Sequence, residues 1–470
     1  MFERGILKEE DIAPLAEGVL KVLERVGILC QNEEMLKALE VKGAKVDYAT
    51  QRATFPPEMV KEYVETFRGE GREEDKNGKF RTPELPRLGT QVAPFFYDYE
   101  RKEKRRGNKK DFITLIKLGD ILHPEKGVGH CLNLTDVPPL LEPLEAALIL
   151  AEYAHKPNAA FAWNVNQIDY LIEMGEIIGI KDWFSWGAIC FAHPLRFDKE
   201  VADKFVRRVK CGYPTGLTSM AVAGVSTPVT LEGYIIVASA EHVATWISAR
   251  AINPQVPLRG SMWGGTVDMR TGEVSYSSFD AMLYAFATVE FLRRWCGINL
   301  GVGGGEYCDA KLPGLFAALE KAYKAMVIAA FTGYHPPVGG GMLEEGKTLS
   351  PVQLLLEREL GKGLRYLSGE IDIKEINPAL EAILEVGLGL NKSYLEIEHT
   401  LKNFRHSLWS PQIWDRTGWK GFEWEEEILN KVQEEINSLL SQYRKPEVEE
   451  EKISQLRKVI EKAKRHLLHT

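Results

Sequence analysis

From residue 127 onward the chain alternates short apolar runs, each ending in polar or glycine residues, with segments of helical length. Eight of these runs are predicted to be strands: 127–134, 158–165, 184–191, 213–220, 256–262, 298–304, 334–340 and 392–398. A helical segment lies between each neighbouring pair, and another follows the last run. Eight β/α units in a row predict an α/β fold, specifically a (β/α)8 barrel of the TIM type over residues 127–420. A doubly wound open sheet is the structural alternative.

The segments on either side of the predicted barrel have different patterns. Residues 1–75 carry apolar positions at helical spacing and predict an N-terminal helical region. Residues 76–126 combine a charged linker with a basic cluster at 101–110, which we predict to be a solvated hairpin or loop, with a docking patch for an acidic partner protein as the alternative. Residues 421–470 predict two charged amphipathic helices interrupted at Pro446, packed either on the barrel or on a partner.

Composition excludes several classes of function. A net charge of −8 is unlike the basic surface that nucleic acids require. Because no apolar run reaches about 18 residues, no membrane span is predicted. The six cysteines form no CxxC pair and no secretory leader precedes them, so we expect reduced thiols and a cytoplasmic protein. The sequence leaves homo-oligomerisation open.

One segment matches a nucleotide-binding pattern by spacing alone. Residues 341–348, GMLEEGKT, fit the G-x-x-x-x-G-K-[ST] consensus of phosphate-binding loops. Such a loop needs its helix to begin at the Lys-Thr step, whereas Ser350 and Pro351 are better residues for a helix start. Glu344 and Glu345 would also repel phosphate. We therefore predict no nucleotide site at this position.

The C-terminal ends of the predicted strands are rich in aromatic residues and carboxylates, and in a TIM barrel these ends carry the chemistry. At NLGVGGGEYCDAKLPG, residues 299–314, three glycines precede an acid and an aromatic residue. Such a barrel mouth suits a cation, because cation–π contacts can hold a quaternary ammonium that has no N–H to donate. The alternative for Trp163, Trp263 and Tyr307 is simple packing at the rim.

A metal site is a weaker prediction. Residues that could act as zinc ligands are Glu396, Glu398, His399 and His406, with Cys308 and His335 as further donors. On a strand, however, Glu398 and His399 would point to opposite faces, and His399 could equally bond a loop carbonyl. We therefore predict no tightly bound metal, and keep a zinc-dependent enzyme as an alternative.

Several motifs, in order along the chain, resemble a known family. They are VLERVGILCQNEEMLKALEVKGAKVD at 22–47, RATFPPEMV at 52–60, GSMWGGTVDMRTGEVSYSS at 260–278, GGGEYCDAKLPG at 303–314 and EHTLKNFRHSLWSPQIWDR at 398–416. Together they resemble the trimethylamine:corrinoid methyltransferase superfamily over nearly the whole chain. This family includes pyrrolysine-containing enzymes acting on trimethylamine and pyrrolysine-lacking ones acting on glycine betaine and related quaternary amines. Because the chain contains only the twenty ordinary residues, the resemblance implies the pyrrolysine-lacking branch.

The resemblance also implies a TIM-type barrel that binds a methylated amine at its mouth and transfers one methyl group to the Co(I) centre of a corrinoid on a separate small protein. The positions that match the family motifs are Asp268, Arg270, Asp309, Lys311, His399, Thr400 and Arg405. Two departures concern the substrate. Ile397 and Glu398 replace the His-Pro of the HPHTL motif found in many relatives, and Glu306 with Tyr307 makes one loop acidic and aromatic.

We therefore predict a methyltransferase that moves a methyl group from a quaternary or tertiary methylamine, such as glycine betaine, to a corrinoid. A partner protein is expected to supply the corrinoid, because the chain lacks the D-x-H-x-x-G signature of a corrinoid-carrying domain. The alternatives are a non-catalytic binding protein or sensor for methylated amines, and a zinc-dependent methyltransferase.

The predicted site residues fall into three groups. The predicted catalytic residues are Glu306, Asp309 and His399. The predicted substrate-binding residues are Trp163, Asn164, Phe191, Trp263, Tyr307, His335, Glu396 and Glu398. The residues predicted to face the corrinoid are Gly303, Gly304, Gly305 and Met220. For a carboxylate on the amine, the sequence offers Arg259, Arg270 and His335 as candidates.

Overall fold

The computed structural model describes residues 5–70, 85–333, 336–367, 376–414 and 416–468. Over these ranges the protein has a mixed α/β fold, which confirms the predicted class. Its helices are α1 (Glu9–Arg25), α2 (Glu33–Val41), α3 (Pro57–Glu70), α4 (Lys109–Leu122), α5 (Glu142–Tyr153), α6 (Ile168–Ile178), α7 (Lys199–Lys210), α8 (Leu231–Ile252), α9 (Phe279–Cys296), α10 (Leu315–Thr332), α11 (Pro351–Leu367), α12 (Ile376–Val386), α13 (Glu398–Ser407), α14 (Trp424–Gln442) and α15 (Glu450–Leu467).

The strands are short. They are β1 (Ile28–Cys30), β2 (Lys45–Asp47), β3 (Arg52–Thr54), β4 (Phe95–Asp98), β5 (Glu103–Arg106), β6 (Ala160–Phe161), β7 (Phe184–Ser185), β8 (Arg196–Phe197), β9 (Thr218–Ser219), β10 (Val222–Ala223), β11 (Ser261–Met262), β12 (Gly265–Val267), β13 (Val274–Ser275), β14 (Gly301–Val302), β15 (Met342–Leu343) and β16 (Thr348–Leu349). Among the described helices, none combines the length and the apolarity that a membrane crossing needs.

Parallel pairing joins consecutive strands in the central part of the chain. β6 pairs with β7, and β11 lies between β9 and β14, all in parallel. Isolated parallel bridges at Ala93–Leu132 and Val128–Pro157 extend this order to the segments that precede β6 in the chain. Between β7 and β9, the Thr218 N–H donates to the Ile189 carbonyl at 2.8 Å. The predicted runs from 127–134 to 298–304 therefore lie side by side in chain order.

The ladders are far shorter than the predicted strands, and in the described ranges they form five separate small sheets with no closed barrel. The runs themselves contain residues that interrupt pairing. In 213–220, for example, Pro214 has no N–H to donate, and Gly216 packs so closely that a Cβ would lie 1.5 Å from the Arg259 carbonyl oxygen. The apolar periodicity identified the segments, but it overestimated the length of regular strand in each.

Two strand predictions are corrected by the structure, and one strand was not predicted. Run 392–398 is no strand, since Tyr394–Glu396 is a 3-10 turn and α13 begins at Glu398. In run 334–340, residues 334–335 lie outside the described residues, and the regular strand of this region, β15, begins only at Met342. A strand that was not predicted, β4, lies in the segment assigned to linker and hairpin, where it pairs in parallel with β16.

Other expectations are confirmed. The basic cluster contributes β5 to a hairpin with the preceding strand β4, and its last two residues, Lys109 and Lys110, begin α4. The GMLEEGKT segment is a β-hairpin of β15 and β16, and α11 begins at Pro351 with Ser350 Oγ accepting from the Gln353 N–H at 3.2 Å. Two charged helices, α14 and α15, follow residue 421, and they pack on α4, α5, α6 and α11 of the same chain.

The N-terminal region is helical, as predicted, but it also holds a small sheet. The buried residues of α1 are Leu15, Val19 and Leu23, spaced four apart so that they form one apolar face against α8. Strand β1 pairs antiparallel with β3 and parallel with β8. This region is therefore joined to the central part through both helix packing and strand pairing.

A fully buried ion pair joins α10 to α11. Lys321 Nζ lies 2.5 Å from Glu357 Oε1, and neither side chain is exposed to solvent. Lys321 also donates to the Met342 carbonyl, and Glu357 Oε2 accepts from the Gly341 N–H at 3.0 Å. Because all of these groups have partners, the pair holds both helices and the start of β15 in one arrangement.

Breaking the charge balance of this pair is expected to destabilise the fold. Glu357→Gln leaves the Lys321 charge buried without a counter-ion, and should cost about 3 kcal/mol or more. Adding Lys321→Met removes that charge while the amide oxygen can still accept from Gly341, so the double variant should recover part of the loss. Thermal unfolding midpoints of the three proteins test this, and a double variant less stable than Glu357→Gln would contradict it.

Candidate functional site

A cavity of about 810 Å³ lies among the C-terminal ends of the parallel strands, and we call it the aromatic cavity. Side chains from these ends that line it are Phe161, Trp163, Trp186, Met220, Trp263 and Tyr307. The rings of Phe161 and Trp163 are stacked, with centroids 5.9 Å apart. Trp263 meets Tyr307 edge to face at 4.6 Å. Flat π faces therefore surround the cavity, an arrangement suited to a cation.

Trp163 is held in place by a buried carboxylate. Its indole N–H donates to Glu142 Oε2 at 2.8 Å, while Glu142 Oε1 accepts from the Leu134 N–H and lies 2.9 Å from His130 Nε2. Burial raises the pKa of Glu142, but His130 and the donated hydrogen bonds outweigh this and hold the pKa below its usual value. A fixed negative charge thus stands at the edge of the Trp163 ring.

A second cavity of about 510 Å³, which we call the side cavity, shares Trp263, Thr90 and Gln91 with the aromatic cavity. It is lined by Gly303, Gly304, Gly305 and Glu306 on one side and by Pro336 and Pro337 on the other. It therefore lies between β14 and the segment that leads to β15.

The three glycines leave room for side chains of this chain itself. A Cβ on Gly303 would lie 2.0 Å from Trp263 Nε1, and one on Gly304 would lie 2.8 Å from Lys324 Nζ. Gly304 also has a φ of +98°, which favours glycine. A Cβ on Gly305 would lie 3.0 Å from Pro336. The glycines thus let Trp263 and Lys324 pack against the backbone behind Tyr307.

Glu306 is a buried acid on the wall of the side cavity. Burial raises its pKa to about 7; Lys321 opposes this rise and Glu357 adds to it. A Cβ on Gly340 would lie 2.7 Å from a Glu306 carboxyl oxygen, so glycine at that position makes space for the acid. Near neutral pH Glu306 exists as a mixture of acid and carboxylate.

A cluster of buried polar groups lies behind Tyr307. Ser275 Oγ donates to Asp309 Oδ2 at 2.7 Å, and Ser277 Oγ donates to Glu345 Oε2 at 3.1 Å. Burial raises the pKa of Glu345, and a hydrogen bond with Asp309 raises it further. Burial lowers the pKa of Lys324, whose ammonium donates to the Ser277 hydroxyl at 3.2 Å. Glu345 and Lys324 are therefore bonded to the same serine, Ser277, while Asp309 is bonded to Ser275.

The structure brings together many of the predicted site residues. Trp163, Trp263, Tyr307 and Met220 line the aromatic cavity. Gly303, Gly304, Gly305 and Glu306 line the side cavity. Asp309 belongs to the polar cluster behind Tyr307. These residues lie in or just after four of the predicted runs, 158–165, 213–220, 256–262 and 298–304.

Two other predicted residues are local structural groups. Asn164 caps the 3-10 turn Val165–Gln167, with its side chain accepting from the Asn166 N–H at 3.1 Å. Phe191 is buried in the hydrophobic core, and its ring centroid lies 4.4 Å from that of Phe197. Neither side chain lines the aromatic or the side cavity.

The structure does not bring Glu396, Glu398 or His399 to either cavity. Their segment is a helical turn followed by α13, so they follow helical geometry and not strand alternation. The Glu396 carboxylate accepts from the Ser393 N–H at 2.6 Å, and Glu398 pairs with Lys402 at 2.9 Å on the exposed face of α13. His335 lies outside the described residues. Within the described ranges, no three His, Cys, Asp or Glu side chains come together as a metal site.

Sequence reasoning missed several residues of the site. Glu142 and Lys324 were assigned only to helices, and Phe161 and Trp186 were passed over within predicted strands. The available signal was a charged residue on an otherwise apolar helix, since LEPLEAALIL and GLFAALEKAYKAMVIAAF each bury such groups. A buried charge requires a partner; the partner of Glu142 is Trp163 at the aromatic cavity, and those of Lys324 are the Tyr276 carbonyl and the Ser277 hydroxyl behind Tyr307.

Comparison with known proteins gives one consistent result. Residues 3–467 match the family described as trimethylamine methyltransferase (MTTB). The chain is similar to the glycine betaine methyltransferase of Desulfitobacterium hafniense (strain Y51), with 24% identity over 442 residues, 91% of this chain and 90% of the relative. It is also similar to the trimethylamine methyltransferase MttB of Desulfitobacterium hafniense (strain DSM 10664 / DCB-2), with 21% identity covering 96% of this chain and 92% of the relative.

A third similarity covers part of the chain. The trimethylamine methyltransferase MttB2 of Methanosarcina mazei is 26% identical over 279 residues, 59% of this chain and 55% of the relative. All three relatives carry the name methyltransferase.

Replacing Glu306 is expected to change how stability depends on pH. The folded-state pKa is about 7 and the ordinary value is 4.5, so between these values the folded chain binds more protons and its stability falls as pH rises. Glu306→Gln removes this contribution, which amounts to at most about 3 kcal/mol. Between about pH 5 and pH 8 the variant should therefore lose less stability than the unmodified protein.

The measurement is the unfolding midpoint at both pH values. Glu344→Gln is the matched control, because Glu344 is paired with Lys104 at 2.5 Å and its pKa lies below the usual value. That variant should keep the decline of the unmodified protein. Parallel pH profiles for Glu306→Gln and the unmodified protein would contradict the interpretation.

Proposed function

This chain belongs to the trimethylamine methyltransferase (MTTB) family and is an enzyme of the methyltransferase type, and from this premise we propose that it transfers a methyl group from a quaternary or tertiary methylamine to a corrinoid carried by a partner protein. Glycine betaine represents the substrate class. We also propose that the parallel β/α units described above are arcs of a TIM-type barrel, with the aromatic cavity at its mouth.

The observation that carries the proposal is the aromatic cavity itself. Trp163, Trp263 and Tyr307 line a common space, and Glu142 places a carboxylate on the edge of the Trp163 ring. A trimethylammonium group has no N–H to donate, so its recognition depends on such faces and on nearby negative charge.

These residues would bind the methylamine, orient it and exclude water from the cavity. The aromatic walls would hold the methylammonium so that one N-methyl group faces the opening of the cavity, and a fixed orientation favours in-line transfer. The departing amine takes the electron pair of the broken C–N bond and leaves neutral when the donor is quaternary. No proton donor is then needed at the site.

The opening of the cavity suits a methyl acceptor that arrives on another protein. Trp163 is 38% exposed, so the aromatic wall can be reached from outside, and Gly187 and Gly346 line the same cavity without side chains, beside Phe161 and Tyr307. A corrinoid in the Co(I) state supplies the nucleophile for such a transfer. Met220 adds an apolar contact at the same end.

The direct test is an anaerobic assay with reduced cobalamin and, in parallel, with a corrinoid protein from the same source. The panel contains glycine betaine, carnitine, choline, tetramethylammonium and trimethylamine, and the readout is the demethylated amine by mass spectrometry. Formation of the demethylated product from one amine of the panel is expected. Tight binding of an amine without any demethylated product would favour the sensor alternative.

Replacing Trp163 is expected to weaken binding of the cation specifically. Trp163→Leu removes the π face and should reduce the affinity for the preferred amine about tenfold. Trp163→Phe keeps an aromatic face but loses the hydrogen bond to Glu142. The affinity of this variant for the amine should therefore lie between those of the unmodified protein and Trp163→Leu. Titration calorimetry measures both variants.

A neutral analogue separates charge recognition from packing. For glycine betaine the isosteric neutral-headed compound is 3,3-dimethylbutanoate, in which carbon replaces the nitrogen. Its affinity should change little in Trp163→Leu. Trp419→Leu is the control variant, since Trp419 is 82% exposed and lines neither cavity. Equal losses for the amine and the neutral analogue would show that Trp163 only packs.

A further inference from the structure

A third cavity, of about 1160 Å³, lies between α11, α14 and the segment that follows α13, and we call it the basic cavity. It shares no lining residue with the aromatic cavity or the side cavity. Among the described residues, its charged lining consists of one acid, Glu435, and five cations. The cations are Arg358, Lys362, Arg405, Arg416 and Lys431. The proposed methyl transfer uses none of these groups.

Arg358 is the buried cation of this cavity. Its side chain is 8% exposed, and burial lowers the pKa of the guanidinium to about 10. Nη1 donates to His123 Nε2 at 2.6 Å, and Nη2 donates to the Leu122 carbonyl at 3.2 Å. Burial and the neighbouring charge of Arg358 lower the pKa of His123 to about 4, so this imidazole is neutral near neutral pH. Two neutral acceptors therefore hold Arg358 in position without cancelling its charge.

The positive charges of the basic cavity are largely not neutralised within the part of the chain that the structure describes. Lys362 Nζ lies 3.7 Å from Glu359 Oε2. None of the other four cations forms an ion pair with a described carboxylate. Cations gathered around one space repel each other, and the buried one is costly without a counter-ion. An anion that entered the cavity would therefore be stabilised.

Aromatic rings lie beside these cations. The rings of Trp409 and Trp414 meet edge to face, with centroids 5.5 Å apart, and the Arg416 guanidinium carbon lies 5.3 Å from the centre of the Trp409 ring. A Cβ on Gly363 would lie 3.4 Å from Trp409 Cζ2, so this ring packs against α11 at the residue that follows Lys362. Tryptophan rings and arginine planes are groups on which flat rings such as nucleobases stack.

The cationic and aromatic groups meet on one short stretch of α11. Arg358 and Lys362 are four residues apart on the same helix face, with a rise of about 6 Å between them. Trp409 meets the helix at Gly363, about 1.5 Å further along the axis. Lys362 Nζ also donates to Gln412 Oε1 at 2.7 Å, which ties the segment after α13 to this stretch. A single small molecule can therefore contact both cations and the indole ring.

We propose that the basic cavity binds a nucleoside phosphate, with its phosphate on Arg358 and Lys362 and its base against Trp409. The phosphate supplies the missing negative charge, which a neutral nucleoside does not carry. The base uses the indole ring, which inorganic phosphate cannot do. This site is separate from the methylamine site, and it does not depend on the proposed function.

The test is titration calorimetry of the full chain with AMP, adenosine and inorganic phosphate, in the absence of amine and corrinoid. AMP is expected to bind with a Kd of about 1 mM or below, and adenosine and phosphate are expected to bind at least about tenfold more weakly. A failure of AMP to bind at about 10 mM would overturn the proposal. Equal affinities for AMP and inorganic phosphate would also overturn it, because the base would then make no contact.

Two variants separate the phosphate contact from the base contact. Arg358→Gln should weaken AMP binding at least about tenfold. Trp409→Leu should weaken AMP binding about fivefold or more and change the affinity for inorganic phosphate less than about twofold. Arg101→Gln is the control, since Arg101 is an exposed arginine outside the basic cavity, and its AMP affinity should equal that of the unmodified protein.

Two exposed positions keep the test valid if Arg358→Gln lowers the unfolding midpoint through its lost bond to His123. Lys362→Gln removes a cation of the cavity and Glu435→Gln removes its described acid. The two changes should shift the AMP affinity in opposite directions, a loss and a gain of about twofold or more. If both variants bind AMP as the unmodified protein does, the proposal is overturned.

Two further readouts identify the occupant. Because the ligand would bind the folded chain between α11 and the segment after α13, AMP should raise the unfolding midpoint of the unmodified protein and raise that of Trp409→Leu less. None of the cavity variants should change the affinity for the preferred methylamine more than about twofold. Binding of a hexaglutamate peptide by a protein that does not bind AMP would overturn the proposal in favour of an acidic partner protein.

Discussion

The two ammonium groups that α10 buries are the constraint on which the site depends. Lys321 and Lys324 lie one turn apart on an otherwise apolar helix, and both are almost fully buried. Lys321 is paired with Glu357. Lys324 donates to the Tyr276 carbonyl at 2.7 Å and lies 5.9 Å from the centre of the Tyr307 ring. Since buried cations must keep such partners, the wall that carries Tyr307 cannot move independently of α10.

The sequence predicted the features that depend on local pattern. It placed the helix start at Pro351, the hairpin in the basic cluster and the parallel order of six runs, because caps, turns and apolar periodicity are local signals. It misassigned 392–398, where YLEIE alternates like a strand although Glu398 and Lys402 are spaced as a helical ion pair. The pairing of β4 with β16 was not predicted, because the two strands are more than 250 residues apart in the chain.

For the site, the sequence identified residue types at the strand ends but not their neighbours. It predicted Trp163, Trp263 and Tyr307 from composition alone. What makes space for Trp263 is the missing side chain of Gly303, and what orients Trp163 is Glu142, on a different element. These contacts arise between segments distant in the chain, so no window of sequence contains them. The same holds for Arg87 and Arg208, which also line the aromatic cavity.

The carboxyl groups and the arginines in this part of the fold differ in whether burial changes their charge. Glu306, on the wall of the side cavity, and Glu345, in the polar cluster behind Tyr307, have raised pKa values because they are buried, so near neutral pH each is partly neutral. A cation that comes close to them would favour their ionised forms, and the cost of ionisation would be offset by the new attraction. An arginine cannot lower its own charge in this way. The acids can therefore adjust to an arriving cation, whereas Arg87 and Arg208, which line the aromatic cavity, keep their charge.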